Sequence, residues 1–178
     1  MKNLITVSYL FLVFAFIYSC KSSREDSYER IQNLEKSLAK DSNVVKARHG
    51  AYDLYMAYKG FCDSFPEDKH ISDCLYRAGE LATSVGMFPD AIVYYQKFYD
   101  KFPTHKKAPM SLFLQGYLYE TGVKNLDKAK ELYSAFLKKY PTNELVPSVQ
   151  FSLDNMGKSD AEIGKMLEEK EKEFNKKK

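Results

Sequence analysis

A chain of 178 residues with 14 Tyr, 12 Phe and no Trp is long enough for one packed core and short for several. Eight Gly and six Pro leave few breakers, which favours packed helices over loops. The formal charge of +3, from 27 Lys and Arg against 24 Asp and Glu, excludes a strongly basic nucleic-acid surface.

At the N-terminus, Met1-Lys2-Asn3 is a short basic start and Leu4 to Tyr18 an uncharged run. A membrane-spanning helix needs about 20 apolar residues, so this run is short for a permanent span and fits a secretory signal instead. Ile17-Tyr18-Ser19-Cys20 then resembles the lipobox of bacterial lipoproteins, with an aliphatic residue three before the cysteine and a small one just before it. Tyr18 is bulkier than that pattern usually carries. The resemblance implies a signal peptide over 1–19, with Cys20 as the first mature residue, its thiol joined to a diacylglycerol and its amino group acylated. Two or three chains at about 0.8 kcal/mol per buried methylene make a stable anchor. Residues 20–27, polar and small, are expected to be the tether, and Lys21 after the cysteine is consistent with outer-membrane sorting.

A first helix is expected from about Ser27 to Lys40, with Tyr28, Ile31, Leu34 and Leu38 in one stripe. Asp41-Ser42-Asn43 breaks it, and a second helix from Val44 to Ser64 carries Leu54, Tyr58, Phe61 and Phe65 on one side before Pro66 stops it. After the loop from Glu67 to Ile71, Ser72 is the expected N-cap of a helix bearing Leu75, Ala78, Gly79 and Ala82. Met87-Phe88-Pro89 turns into a helix that runs to Phe102. Pro109 opens a helix with Leu112, Gly116 and Tyr119; Asn125 caps one that ends at Pro141; Pro147 lies in the first turn of another, reaching about Met156. Ser159-Asp160-Ala161-Glu162 has capping-box spacing, and the run Glu168 to Lys178 reads as a solvated helix end.

Two of these stretches are copies. FPDAIVYYQKFYDKFP at 88–103 superposes on LDKAKELYSAFLKKYP at 126–141, matching Ala91 with Ala129, Tyr95 with Tyr133, Phe98 with Phe136 and Phe102-Pro103 with Tyr140-Pro141. LYMAYKGFCDSFP at 54–66 is a fainter echo, so the closing prolines recur after 37 and 38 residues. A period in that range marks a helical repeat array. The order of residues resembles tetratricopeptide repeats: a small residue at the eighth position (Gly79, Gly116), Ala at the twentieth (Ala91, Ala129), an aromatic at the twenty-fourth (Tyr95, Tyr133) and Pro at the thirty-second (Pro103, Pro141). Two departures stand out: Leu75 and Leu112 replace the usual aromatic, and the loop before each unit is three residues longer than in the 34-residue standard. That lengthened type is similar to the repeats of the lipoprotein of the outer-membrane barrel-assembly machinery and of the cell-division coordinator accompanying the Tol-Pal system. The implied fold is all-α, a short right-handed solenoid of antiparallel helix pairs with about seven or eight helices. Within a helical domain at 28–178 it would comprise an irregular cap at 28–66, repeats at 72–103 and 109–141, and C-terminal helices at 144–175. The cap is irregular because the period places Ser42 where Gly79 and Gly116 stand.

The resemblance also implies a concave groove lined by the first helix of each pair. Carried over, its residues are Tyr76 and Glu80, Phe113 and Tyr117, then Phe151 and Asn155. Three aromatics, one per repeat, would suit a bound peptide or helix; core packing is the competing reading for each. Cys62 and Cys74 flank Pro66 and are candidates for a disulfide in an exported chain, with two buried thiols as the alternative. Adding His70 gives three irregularly spaced ligands that lack the pairing of zinc sites, and His49, His70 and His105 stand without a nucleophile motif or phosphate loop. No metal, cofactor or catalytic activity is expected. The leading expectation is a lipid-anchored protein of the bacterial envelope, most simply the outer membrane, acting as a scaffold for a protein or peptide partner in envelope assembly or maintenance. The alternatives are a small-ligand or cell-wall-glycan module using the aromatic groove, and a structural subunit docked through its convex face or last helix.

Overall fold

The computed structural model describes residues 23–40 and 44–176. The expected signal over 1–19, Cys20 and the turn residue Ser42 lie outside the described residues. Those described form eight helices and no strands: α1 (23–40), α2 (Val44–Ser64), α3 (Ile71–Ser84), α4 (Phe88–Lys101), α5 (Ala108–Thr121), α6 (Leu126–Lys139), α7 (Val146–Asn155) and α8 (Asp160–Lys176). The all-α expectation is met. They fall into two compact units that divide between Lys97 and Phe98.

In the first unit, apolar residues at helical spacing bring α1 and α2 onto α3 and the first part of α4. Ile31, Tyr55, Phe61, Cys74, Ala78, Ala82, Ala91 and Tyr95 are all nearly inaccessible. Buried tyrosines keep their hydroxyls satisfied by carboxylates on neighbouring helices, as burial of a polar group demands. Tyr58 donates to Glu35 of α1 at 2.8 Å, and Tyr55 donates to Asp90 of α4 at 2.5 Å. Of the expected tether at 20–27, residues 20–22 lie outside the described residues, and 23–27 are a correction. Residues 23–27 are helical, the Ser27 hydroxyl donates to the Ser23 carbonyl at 2.7 Å, and Arg24 pairs at 3.4 Å with the almost fully buried Asp68. That ion pair gives this stretch of α1 a partner in the folded unit, and the helix already includes Ser23, four residues before the expected Ser27.

In the second unit, Leu112, Ala129, Tyr133, Phe136 and Val149 form the core of α5, α6 and α7, with Phe113, Tyr119, Leu153 and Met156 packed around it. Local signals set the ends as read from the sequence. The Asn125 side chain accepts from the Lys128 amide at 3.1 Å, and Pro109 and Pro147 sit in first turns where a missing N–H goes unnoticed. Ser159 and Glu162 close a reciprocal capping box: the Ser159 amide donates to the Glu162 carboxylate at 2.7 Å and the Glu162 amide to the Ser159 hydroxyl at 3.3 Å. These donations hold the Glu162 carboxyl below its ordinary value.

Three loops, 65–70, 102–107 and 140–145, have one hydrogen-bond plan. The first residue donates back to the helix (Phe65 to Phe61, Phe102 to Phe98, Tyr140 to Phe136), and its carbonyl accepts from the fourth. The side chain of that fourth residue accepts from the amide two residues on: Asp68 from His70 at 2.8 Å, His105 through Nδ1 from Lys107 at 3.1 Å, Asn143 from Leu145 at 3.0 Å. Ring pairs Phe61–Phe65, Phe98–Phe102 and Phe136–Tyr140 recur at 5.2, 5.8 and 5.4 Å. The echo at 54–66 is therefore a full copy of the repeat's closing half, more regular than a cap requires. The plan also corrects the expected Ser72 cap: α3 starts at Ile71, and Asp68 satisfies the His70 amide just ahead of it.

Candidate partner-binding site

The α3–α4 and α5–α6 hairpins are each locked by a ring entering the space left by a missing side chain. A Cβ on Gly79 would lie 2.8 Å from Tyr95 Cε1, and one on Gly116 would lie 2.7 Å from Tyr133 Cε1. Real carbon atoms do not approach so closely, so glycine is what admits the ring. The preceding aromatic packs on it: Tyr76 meets Tyr95 edge-on at 5.6 Å, and Phe113 lies over Tyr133 at 5.9 Å with 29° between the planes. Tyr133 then donates to Glu120 at 2.8 Å.

The third copy of this arrangement is incomplete. Thirteen residues after Pro141, where Gly79 and Gly116 follow Pro66 and Pro103, stands Asp154, which accepts from the Gln150 side chain at 2.8 Å. Helix α7 has 10 residues against 14 in α5, and the eighth residue of α8, the place of Tyr95 and Tyr133 in their helices, is Leu167, half exposed. With neither gap nor ring, α8 leaves Phe151 uncovered. The result is a pocket of about 550 Å³ inside the second unit, lined by Tyr117, Glu120 and Thr121 of α5, Lys124 and Leu126 at the next turn, Phe151, Ser152 and Asn155 of α7, and Gly157, Lys158, Ser159, Glu162 and Ile163 beyond it.

Of the expected groove residues, Tyr117, Phe151 and Asn155 meet at this pocket. Tyr117 and Phe151 remain 43% and 44% exposed. Asn155 is buried at its floor, where its amide donates to the Phe151 carbonyl at 2.8 Å and its oxygen accepts from Lys158 at 2.9 Å. Phe113 is half-buried, its ring 6.3 Å from that of Tyr117. Tyr76 is a correction: at 5% exposure it is a core ring held against Tyr95, and burial raises the pKa of its hydroxyl. Glu80, in the same unit, is half-exposed and pairs with Arg77 at 3.0 Å. Sequence reasoning did not pick out Lys124, Leu126, Lys158 or Glu162. Lys124 had a legible signal, because the extra residue of the turn before α6 places it two residues ahead of that helix, as Gly86 stands ahead of α4.

Of the two readings of the cysteine pair, the structure has the second: Cys62 and Cys74 are buried free thiols, not a disulfide. Burial pushes the Cys62 thiol up to about 12 and raises Cys74 as well, so both behave as small apolar groups. His70, the third member of the trio considered above, stacks on Tyr28 at 4.2 Å. Among the described residues, no group of three His, Cys, Asp or Glu side chains could hold a metal ion.

The family model of the tetratricopeptide repeat matches residues 73–105 and 110–143. These two segments are tetratricopeptide repeats. Each match takes in one glycine-and-ring lock and the first four residues of the loop that follows, up to the side-chain acceptor His105 or Asn143. No curated protein matches the chain. Tetratricopeptide repeats suggest a scaffold for protein–protein interaction.

Proposed function

We propose that this protein is a lipid-anchored scaffold of the bacterial cell envelope, held at the outer membrane through Cys20, which recruits a protein or peptide partner for envelope assembly or maintenance. The observation that carries the scaffold reading is the pair of repeats followed by a pocket with two exposed aromatic rings, Tyr117 and Phe151. Rings left in water at the end of a repeat array supply the rigid apolar area on which interfaces depend. The envelope part is supported by the uncharged run from Leu4 to Tyr18 and the Ile17-Tyr18-Ser19-Cys20 pattern. No helix among the described residues is long and apolar enough to cross a membrane.

Crosslinking of the tagged full-length protein in its own cells, with and without Tyr117→Ala/Phe151→Ala, tests the scaffold. Loss of a specific partner from the double variant is expected, and unchanged recovery overturns the role of this face. Metabolic labelling with a fatty-acid analogue tests the anchor: label is expected on the native protein and absent from Cys20→Ser. Absence from the native protein, or persistence in the variant, refutes the anchor.

A further inference from the structure

We propose that the end of the first unit formed by the start of α1 and the loop 65–70 rests against the lipid headgroups of the bilayer, held there because the fold begins within three residues of Cys20. The inference rests on the lipid anchor proposed above and gives that anchor a geometry.

Ser23 is already helical, and only Lys21 and Ser22 separate it from Cys20. Three residues span at most about 11 Å, however they are arranged. The start of α1 is in turn fastened to the loop. Arg24 pairs at 3.4 Å with Asp68, whose side chain is almost fully buried and also accepts from the His70 amide at 2.8 Å. Tyr28 stacks on His70 at 4.2 Å and meets Phe61 at 5.5 Å. A lipid on Cys20 therefore draws the loop to the bilayer together with the helix. The contacts of Tyr28 with Phe61 and of Glu35 with Tyr58 run α1 antiparallel to α2, which puts Lys40, at the far end of α1, about 24 Å beyond Arg24. A helix lying flat in a lipid interface needs an apolar outer face. In α1, Ile31 is buried and Tyr28, Leu34 and Leu38 are half-buried, whereas Glu25, Asp26, Glu29, Arg30, Lys36 and Lys40 are exposed. That charged outer face favours a helix standing away from the bilayer on its first turn. The same end carries Arg24 and Lys69 against Glu25, Asp26, Glu67 and Asp68, so no excess of cations draws it onto anionic lipid. The short link sets its place.

The chain has no Trp, so a single introduced one can report the distance to dansyl-labelled headgroups by energy transfer. The full-length protein, purified from the membranes of its own cells, is placed in phosphatidylcholine vesicles as Lys69→Trp, in the loop, or Lys40→Trp, at the far end of α1. Transfer from Lys69→Trp is expected to exceed that from Lys40→Trp about twofold or more, since most of the length of α1 separates the two sites. Raising the salt should change neither signal. A flexible Gly-Ser insertion of about 12 residues after Ser22 adds roughly 20 Å of root-mean-square reach and should cut the Lys69→Trp signal by about half, with the fatty-acid label and the midpoint of thermal unfolding unchanged. Equal transfer from the two sites would show α1 lying along the bilayer, and transfer from Lys69→Trp that survives the insertion would show that this face binds lipid by itself; either result overturns the proposal. Weak transfer from both sites of a labelled protein also overturns it, while the anchor stands. Absence of label from the native protein fails the anchor, and the proposal with it.

Discussion

A methyl group at Gly116 would lie 2.7 Å from Tyr133 Cε1, and the ring has little room to retreat, because Phe113 covers one side and Glu120 holds its hydroxyl at 2.8 Å. Gly116→Ala is therefore expected to destabilise the protein by about 2 kcal/mol, the usual scale of overpacking, with Gly79→Ala similar; urea denaturation reads both. A loss below about 0.5 kcal/mol would mean that the ring moves freely. The tyrosines also set an alkaline limit. Burial first, then donation to Asp90, Glu35 and Glu120, raises the pKa of Tyr55, Tyr58 and Tyr133 above the ordinary value near 10. A group whose pKa is higher folded than unfolded contributes stability that is complete below the unfolded value and lost as pH rises towards the folded one. Stability should thus fall above pH ~10, with phenolate absorbance and loss of helical dichroism rising together. Full titration of all 14 tyrosines near pH 10 with helicity intact would contradict this.

At the scale of elements, three loops share a plan although its key acceptor is Asp68, His105 or Asn143 in turn. What the loop needs is one short side-chain acceptor aimed two residues on, and three chemistries supply it. His105→Asn should leave stability unchanged within about 0.5 kcal/mol, whereas His105→Ala should lower it by about 1 kcal/mol, as loss of one hydrogen bond does. Equal effects in chemical denaturation would remove the acceptor role. The packing of α2 on α3 makes a second prediction. Cys62 and Cys74 are buried with raised pKa values, so a thiol reagent at neutral pH should modify them only as fast as the first unit unfolds. Rapid modification of the native protein would show that one of them is open to solvent.

For the molecule as a whole, protection is distributed unevenly. Each unit has its own buried core, whereas every described residue of α8 from Leu167 onward is exposed. Hydrogen exchange should accordingly be fastest in the second half of α8 and slowest around Tyr55 and Phe61 in one unit and Tyr133 and Phe136 in the other. Slow exchange throughout α8 in the full chain would show that this helix has found a partner. The same lack of cover over α7 leaves the pocket open, so the most solvated end of the described chain is also where binding is placed.

The repeat was legible from sequence because its determinants are local and periodic: glycine, ring and proline return at fixed spacing, and helix caps such as Asn125 and Ser159-Glu162 act within one turn. The doubled order of Gly79 with Tyr95 and Gly116 with Tyr133 was enough to read hairpins, without any knowledge of which atoms meet. The fate of Tyr76 was not legible. Tyr76, Phe113 and Phe151 stand at one repeat position, and position alone assigns them one role, but the ring that follows in space decides it. Tyr95 and Tyr133 draw the first two inward, while Asp154 and Leu167 provide no such ring for Phe151. Exposure depends on what a distant helix brings to a place, and only the tertiary structure puts the two together.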